Sequence, residues 1–278
     1  MRGWRKLNQN GEPIEIPRTP IVGSNDKILA LGSCFAHEVR DYLKRRGYDV
    51  LNHETDPEPQ LIWYNTFSIL YEFQRLTREF HQGQDDFWST GRGWQDPYRR
   101  FVFGSTIESV RARTSQIDSQ MSAWIQTADV VIVTLGLTEV WFQPNGKAIC
   151  AFPGYGGGGG DNCIFSQTDY GENLHNMLRI CEIINMFNRN AKVIVTVSPV
   201  PLGSTFTTQD SLVANCDSKS ILRAVAGHLA RRGNAYYFPS YELVLQMGRD
   251  NAFQQDGRHV RSDAVARVMQ TFEAAFVH

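Results

Sequence analysis

The chain has 278 residues, of which 42% are hydrophobic and 21% charged, and its formal net charge is -1 at pH 7. This is the composition of an ordinary soluble globular protein, long enough to bury a sizeable core. It lacks the basic surplus typical of nucleic-acid-binding proteins, and no apolar run approaches the roughly 20 residues that a membrane-spanning helix needs.

The cysteines indicate a reducing compartment. They stand at positions 34, 150, 163, 181 and 216, without a Cys-x-x-Cys or His/Cys pattern of metal ligands. An odd, scattered set of this kind does not suggest a disulfide framework. The first residues, MRGWRKLNQNGEPIEIP, contain no apolar segment of a secretory signal. We therefore expect a cytoplasmic protein.

The first predicted unit is a strand, a glycine turn and a helix. Residues 1–26 are polar and proline-containing, and we interpret them as an extended lead-in. The apolar run at 27–31 predicts a buried strand that ends at Gly32, and helical spacing of apolar residues follows. Such turns place polar residues at a helix N-terminus, where negative charge is favoured. Ser33 and Cys34 occupy this turn as potential nucleophiles, or alternatively as a helix cap and a small buried hydrophobe.

Strands and helices alternate along the rest of the chain. Apolar runs predict further strands at 48–51, 128–135, 192–197 and 235–238, and helical spacing predicts helices at 66–76, 115–127, 170–188, 211–232, 241–247 and 262–276. This alternation favours one α/β domain over residues 1–278, with a roughly five-stranded parallel sheet between two helical layers.

Two stretches interrupt this alternation. Residues 79–113 are irregular and aromatic, and we expect an insertion that covers a site, its aromatic rings forming either core or an acceptor platform. Residues 156–160 are consecutive glycines. They lack the Gly-Lys-Ser/Thr or Gly-x-Gly-x-x-Gly context of a phosphate-binding loop, so a flap or linker is favoured and a phosphate-handling enzyme is not.

Polar clusters follow several predicted strands and are expected to meet at one edge of the sheet. They comprise Ser33 with Cys34, Asn65, the segment 136–139, and the segment 256–259. A nucleophile needs a base within hydrogen-bond reach and a third group that orients the base.

The segment 256–259 supplies both of these groups. Asp256 and His259 are three residues apart in a glycine-containing loop, where Asp256 would orient the imidazole and His259 would accept the proton of the nucleophile. Backbone N–H groups of the first turn, together with Asn65 or Thr138, would hold an oxyanion.

Several sequence blocks resemble one known family. The blocks are GSCFA (32–36), YNTFSIL (64–70), TLGLTEVW (134–141), VTVSPVPL (195–202), CDSKSIL (216–222), YFPSYELV (237–244) and RDNAFQQDGRHVRSDAV (249–265). In this order they resemble the GSCFA family of the SGNH (GDSL-like) hydrolase and acyltransferase superfamily. The resemblance implies a three-layer α/β/α, flavodoxin-like fold, and it implies catalysis without metal or organic cofactor.

The chain also departs from the wider superfamily. Superposition on a Gly-Asp-Ser turn places Ser33 at the aspartate and Cys34 at the nucleophile, so Cys34 is the first candidate and Ser33 the second. Thr138 replaces the superfamily's oxyanion asparagine in the block that contains Gly136 and Glu139, and Asn65 is an alternative donor. In the CDSKSIL block, we expect Ser218 and Lys219 to begin a helix rather than to form a catalytic dyad.

Two functions remain open at this stage. The first is an esterase or acyltransferase that forms a covalent acyl-enzyme on Cys34 or Ser33 and acts on a carbohydrate or small-metabolite acyl group. The second is a catalytically silent module that binds a glycan or an acylated partner in the same cleft. Neither hypothesis requires nucleic acid or a membrane, and the sequence leaves the oligomeric state open.

Overall fold

The computed structural model describes residues 14–53, 61–150 and 162–278. The strands are β1 Lys27–Gly32, β2 Asp49–Val50, β3 Trp88–Thr90, β4 Gly93–Gln95, β5 Phe103–Gly104, β6 Val130–Leu135, β7 Glu139–Phe142, β8 Ala148–Ile149, β9 Ile164–Gln167, β10 Lys192–Val197 and β11 Tyr236–Phe238. The helices are α1 Cys34–Arg45, α2 Thr66–Thr77, α3 Ile107–Thr127, α4 Tyr170–Phe187, α5 Ser211–Arg232, α6 Ser240–Met247, α7 Arg249–Ala252 and α8 Ser262–Phe276, with a 3₁₀ turn at Gln84–Asp86.

The main sheet confirms the predicted fold class. It has five strands in the order β11-β10-β6-β1-β2, and all of their pairings are parallel. With the five strands renumbered in chain order, this is the flavodoxin-like order 2-1-3-4-5. The order of strands reverses between β1 and β6, while the strands themselves stay parallel. Polar residues that follow these two strands therefore meet at the carboxyl edge of the sheet.

Helices cover both faces because the central strands are apolar on both sides. Alternate residues of β1, such as Leu29 and Leu31, pack with α2, α3, α4 and α5 on one face. Their neighbours Ile28 and Ala30 pack with α1, α6 and α8 on the other. Fully buried parallel strands of this kind are near-continuous apolar runs, which is why the sequence predicts them well.

The lead-in lies along the last helix, as far as it is described. Backbone N–H groups of Thr19 and Val22 donate to the carbonyls of Ala275 and Phe276, and Val22 is fully buried. Residues 1–13 and the glycine run 156–160 fall outside the described residues, so their predicted roles stay predictions.

The insertion is shorter and more regular than predicted. Strands β3, β4 and β5 form a small antiparallel sheet, and α3 begins at Ile107 rather than at residue 115. A reciprocal capping pair between Thr106 and Ser109 fixes that start. A second antiparallel sheet, in the order β8-β7-β9, follows the central strand β6.

Within the described ranges, none of the helices has the length and apolar character to cross a bilayer.

Candidate active site

The turn between β1 and α1 requires glycine at position 32. Gly32 has φ +125°, and a Cβ at this position would lie 2.1 Å from the carbonyl oxygen of Thr134. The Ser33 N–H donates to the same carbonyl at 3.1 Å, while the Gly32 carbonyl accepts from Trp63 N–H at 2.9 Å. These contacts hold the turn tightly against β6 and the segment before α2, so the side chains that follow have fixed positions.

The two candidate nucleophiles differ in accessibility. Ser33 is the N-cap residue of α1, but its side chain makes no capping bond, and its hydroxyl oxygen is buried with no hydrogen-bond partner among the described residues. Cys34 is the first residue of the helix and is partly exposed. A substrate in solution can reach the thiol more easily than the hydroxyl.

Opposing influences act on the Cys34 thiol. Burial raises its pKa above the ordinary value, and this effect is the largest. Arg258 and Lys219 act in the opposite direction through their positive charges, and the backbone N–H groups of Cys34 and Phe35 also stabilise the thiolate. The net pKa is raised, so the resting group is a thiol surrounded by features that favour its anion.

Lys219 is the main residue that sequence reasoning misjudged. It lies inside α5 rather than at its start, its exposed fraction is 1%, and its Nζ donates to the Gly136 carbonyl at 2.8 Å. Burial lowers its pKa to about 7, and attraction to Cys34 partly opposes that shift. The neighbouring Ser218 hydroxyl accepts from Thr138 N–H at 3.0 Å, so the two residues anchor one turn and form no Ser-Lys dyad.

Asp256 and His259 form the predicted pair. The Asp256 carboxylate lies 2.5 Å from His259 Nδ1 and also accepts from the backbone N–H groups of Arg258 and His259. These bonds, with the Arg258 N–H as the largest cause, lower the Asp256 pKa to about 2. With Nδ1 held by the carboxylate, Nε2 is the nitrogen that can accept a proton.

This pair lies on the surface near the sheet edge. The side chains of His259 and Asp256 are 58% and 45% exposed. Their loop faces the segment that follows β10, with which it lines a shared groove. Among the described residues, no hydrogen bond joins His259 to Cys34, and the residue that links this loop electrostatically to the thiol is Arg258.

A cavity of about 240 Å³ opens beside the turn. Its wall combines aromatic rings, aliphatic side chains and charged groups, drawn from loops after β6 and β10, the start of α2 and the insertion. The lining includes Tyr64, Asn65, Arg100, Leu137, Glu139, Trp141, Leu202, Phe206 and Arg258. Cys34 itself is not a lining residue, but Tyr64 and Arg258, which do line the cavity, interact electrostatically with Cys34, so the cavity lies near the thiol.

The predicted oxyanion and substrate-binding residues are divided between the cavity and the interior. Asn65 lines the cavity, caps α2 by accepting from Ser68 N–H at 2.8 Å, and donates to the Ile149 carbonyl at 3.4 Å. Glu139 also lines the cavity, and its carboxylate accepts from Thr205 and from Phe206 N–H.

Gly136 and Thr138 have structural contacts instead. A Cβ at Gly136 would lie 2.5 Å from the Tyr64 carbonyl oxygen, so glycine allows two loops to approach closely. Thr138 is fully buried, lies outside the cavity lining, and has a hydroxyl without a hydrogen-bond partner among the described residues.

The insertion contributes one charged residue and none of its rings to this cavity. Arg100 lines it, donating to the Tyr64 hydroxyl at 3.0 Å. Phe87, Trp88 and Tyr98 are buried in the core, so the core interpretation is the right one for these rings. The aromatic wall is formed by Tyr64, Trp141 and Phe206, with the last two ring centroids 5.1 Å apart. In the described part of the chain, no cluster of His, Cys, Asp or Glu side chains has the arrangement of a metal site.

The comparison with family models confirms the expected family. The sequence model of the GSCFA family matches residues 27–272. No curated protein matches the chain. Among solved structures, a protein described as a GDSL-like lipase from Parabacteroides merdae aligns with TM-score 0.43 and 12% identity, over 92% of this chain and 98% of that one. A family 3 carbohydrate esterase from Clostridium thermocellum aligns with TM-score 0.35 and 12% identity, over 90% and 94% of the two chains.

Proposed function

Since the chain belongs to the GSCFA family, we propose that it is an esterase or acyltransferase that forms a covalent acyl-enzyme on Cys34. The substrate is an acyl ester of a carbohydrate or small metabolite. The observation that carries the proposal is the position of the thiol. It is partly exposed at the first residue of α1, two backbone N–H groups stabilise its anion, and two cations act on it. Anionic intermediates are favoured at such a place.

The reaction proceeds in two steps, acylation of Cys34 and release of the acyl group. The Cys34 sulfur attacks the ester carbonyl carbon while its proton passes to His259 Nε2. The C–O bond of the ester then breaks, the leaving alcohol takes that proton, and a thioester remains on Cys34. Water or an acceptor hydroxyl next attacks the thioester, gives its proton to His259, and releases the acyl product with the thiol restored. Asp256 keeps the imidazole oriented and stabilises its cation.

The oxyanion of each tetrahedral intermediate needs preorganised donors. Asn65 is a better candidate than Thr138 because Asn65 lines the cavity, whereas Thr138 is buried outside the lining. The backbone N–H groups at the start of α1 supply further donors. In this mechanism His259 must approach the thiol when substrate binds, because catalytic hydrogen bonds often tighten only in the substrate complex.

One observation favours the alternative of a silent binding module. Burial raises the pKa of Cys34, and an unreactive structural cysteine has the same property. A catalytic thiol in this environment depends on His259 as its base, whereas a silent one does not respond to His259 at all. The two functions therefore differ in how Cys34 reacts with an acyl donor.

The decisive experiment is acylation by an activated ester, p-nitrophenyl acetate, with the adduct located by peptide mass mapping. The exposed Cys216 provides a reference thiol in the same chain. We expect Cys34 to be acylated faster than Cys216, and His259→Ala to slow that reaction by roughly 10²- to 10⁴-fold, the usual contribution of a general base. Ser33→Ala serves as the matched control and should retain the reaction. Acylation of Cys34 that is slower than that of Cys216 and unaffected by His259→Ala would identify a binding module.

A further inference from the structure

The cavity near Cys34 is small and is lined by polar and charged groups. Its volume is about 240 Å³, which has room for a short acyl group. Among the described residues that line it are the guanidinium group of Arg258 and the carboxylate of Glu139. That carboxylate already accepts hydrogen bonds from Thr205 and from the Phe206 N–H.

The Arg258 guanidinium has a hydrogen-bond donor that is not used within the described part of the chain. It forms no ion pair with a carboxylate among the described residues, and its Nε is buried with no hydrogen-bond partner there. The close approach of Gly203, where an added Cβ would lie 3.0 Å from an Arg258 terminal nitrogen, restricts the guanidinium. A buried donor without a partner costs free energy unless a ligand supplies the acceptor.

A second unsatisfied donor lines the same cavity. The Trp141 Nε1–H is buried and has no acceptor among the described residues. The ring of Trp141 packs edge-on against Phe206, so the indole is held in place. The cavity therefore offers fixed donors and a positive charge, while its acidic group is occupied. This pattern fits a ligand that brings acceptor oxygens and negative charge.

We propose that this cavity binds an anionic end-group, carboxylate or phosphate, on the acyl chain that the enzyme transfers, with Arg258 as its main ligand. The proposal rests on the proposed function for the identity of the acyl chain. It makes the substrate a short acid-terminated ester of the hemisuccinate type, whose ester carbonyl lies at Cys34 and whose charged end lies at Arg258. Tyr64 and Trp141 provide aromatic walls of the cavity.

Binding tests the proposal without turnover. Succinamate and its neutral isostere succinamide are titrated separately into the full-length protein, and half-saturation is determined from the rise in melting temperature. We expect succinamate to bind at least about tenfold more tightly, as one charge-assisted contact of about 1.5 kcal/mol provides. Arg258→Gln should abolish this preference. Arg261→Gln is the matched control, since Arg261 is on the same loop, pairs with Asp263 and lies outside the cavity.

One further variant and one further ligand complete the binding experiment. Arg258→Lys, which keeps the charge and loses the planar fork, should retain part of the preference, and it substitutes for Arg258→Gln if that variant does not fold. Methyl phosphate replaces succinamate to distinguish the two anions, and the tighter binder identifies the end-group. Equal binding of succinamate and succinamide together with no binding of methyl phosphate, or a preference that survives loss of Arg258, overturns the proposal.

Turnover separates this proposal from the proposed function. Succinyl and butyryl thioesters of the same thiol are compared by kcat/KM. We expect the succinyl compound to be preferred about tenfold or more, and the ratio to fall to near one in Arg258→Gln. Using the ratio cancels any common effect of Arg258 on the thiol itself. If neither thioester reacts while succinamate still binds through Arg258, the proposed function is wrong and the anion site remains. If both react equally and methyl phosphate does not bind, the anion site is wrong and the enzyme remains.

Discussion

Two sites in this molecule differ in how their cations are compensated by carboxylates. Arg99, in the insertion, is fully buried and bonds Glu72 through two nitrogens, at 2.9 and 2.5 Å, and Asp118 at 2.6 Å. Trp63 donates to the same Glu72 carboxylate at 2.9 Å. By contrast, Lys219 and Arg258, near Cys34, have no carboxylate partner among the described residues.

The difference in carboxylate partners also gives the pKa values of Arg99 and Lys219 opposite shifts. Burial acts to lower the pKa of both Arg99 and Lys219. For Arg99 the combined effect of the Glu72 charge and hydrogen bonds, Asp118 and Asp96 outweighs burial and the pKa is raised, whereas Lys219 has only Cys34 to oppose burial and its pKa falls to about 7. A buried charge that is paired within the fold belongs to the structure. A charge without a counter-charge beside the site is placed to interact with an anionic substrate or intermediate.

The largest expected effect concerns the paired cation. Glu72→Gln removes the main counter-charge of Arg99 and leaves a buried guanidinium under-compensated. We expect the free energy of unfolding to fall by about 3–5 kcal/mol, measured by denaturant unfolding. Asp263→Asn, which breaks the exposed pair with Arg261, is the control and should leave the free energy of unfolding nearly unchanged. If both variants lose the same stability, the buried pair of Arg99 and Glu72 does not stabilise the fold more than an exposed pair does.

The unpaired Lys219 predicts a distinct dependence of stability on pH. Its pKa is about 7 when folded and 10.5 as its ordinary value, so between these pH values the unfolded chain binds a proton that the folded chain does not. The free energy of unfolding should therefore rise as pH increases from 7 to 10.5, by on the order of a few kcal/mol. Lys219→Met removes this contribution, and the difference between wild type and variant, measured by urea unfolding across that range, isolates it. A pH-independent difference would show that Lys219 titrates normally.

The same substitution should make the Cys34 thiol a weaker acid at low pH. Protonated Lys219 stabilises the thiolate, so Lys219→Met is expected to raise the Cys34 pKa further where Lys219 carries its proton, below about pH 7. A shift of about one pH unit slows alkylation by iodoacetamide roughly tenfold when the rate is measured below that pH. Lys219→Arg should restore part of the rate if charge is what matters. Glu72→Gln should leave the alkylation profile of the folded protein unchanged, and a similar shift in both variants would contradict the distinction between the two sites.

The main sheet could be predicted because its strands carry their own signal. Strands such as β6 and β10 are unbroken apolar runs whose burial is dictated by composition. The small sheets could not, since strands of two to four residues are too short to show alternation. The early start of α3 had a usable signal in the Thr106–Ser109 capping pair, which the polar composition of the first turns concealed.

At the site, local motifs were predictable and long-range partners were not. The Asp256–His259 contact follows from three-residue spacing in one loop, and the structure has it. The contact of Lys219 with Gly136 joins residues 83 positions apart, which no local pattern encodes. A signal did exist, because Lys219 lies three residues before the buried Leu222 and seven before Ala226, on the apolar face of α5. A charged side chain on the buried face of a helix costs free energy unless it is paired or hydrogen-bonded, so its position in the sequence predicts a specific contact.

The smallest expected effect on stability concerns the exposed pair of Asp256 and His259. The Asp256 pKa is lowered to about 2, so its contribution to stability is present above the ordinary value of 3.8 and is lost as pH falls through about 2. Because the pair is exposed to solvent, we expect Asp256→Asn to leave the free energy of unfolding at pH 7 nearly unchanged. Esterase activity should nevertheless fall by about tenfold or more, because the imidazole loses its orienting anion. Loss of stability and activity in parallel would assign Asp256 to the fold, whereas loss of activity alone would assign it to the reaction at Cys34.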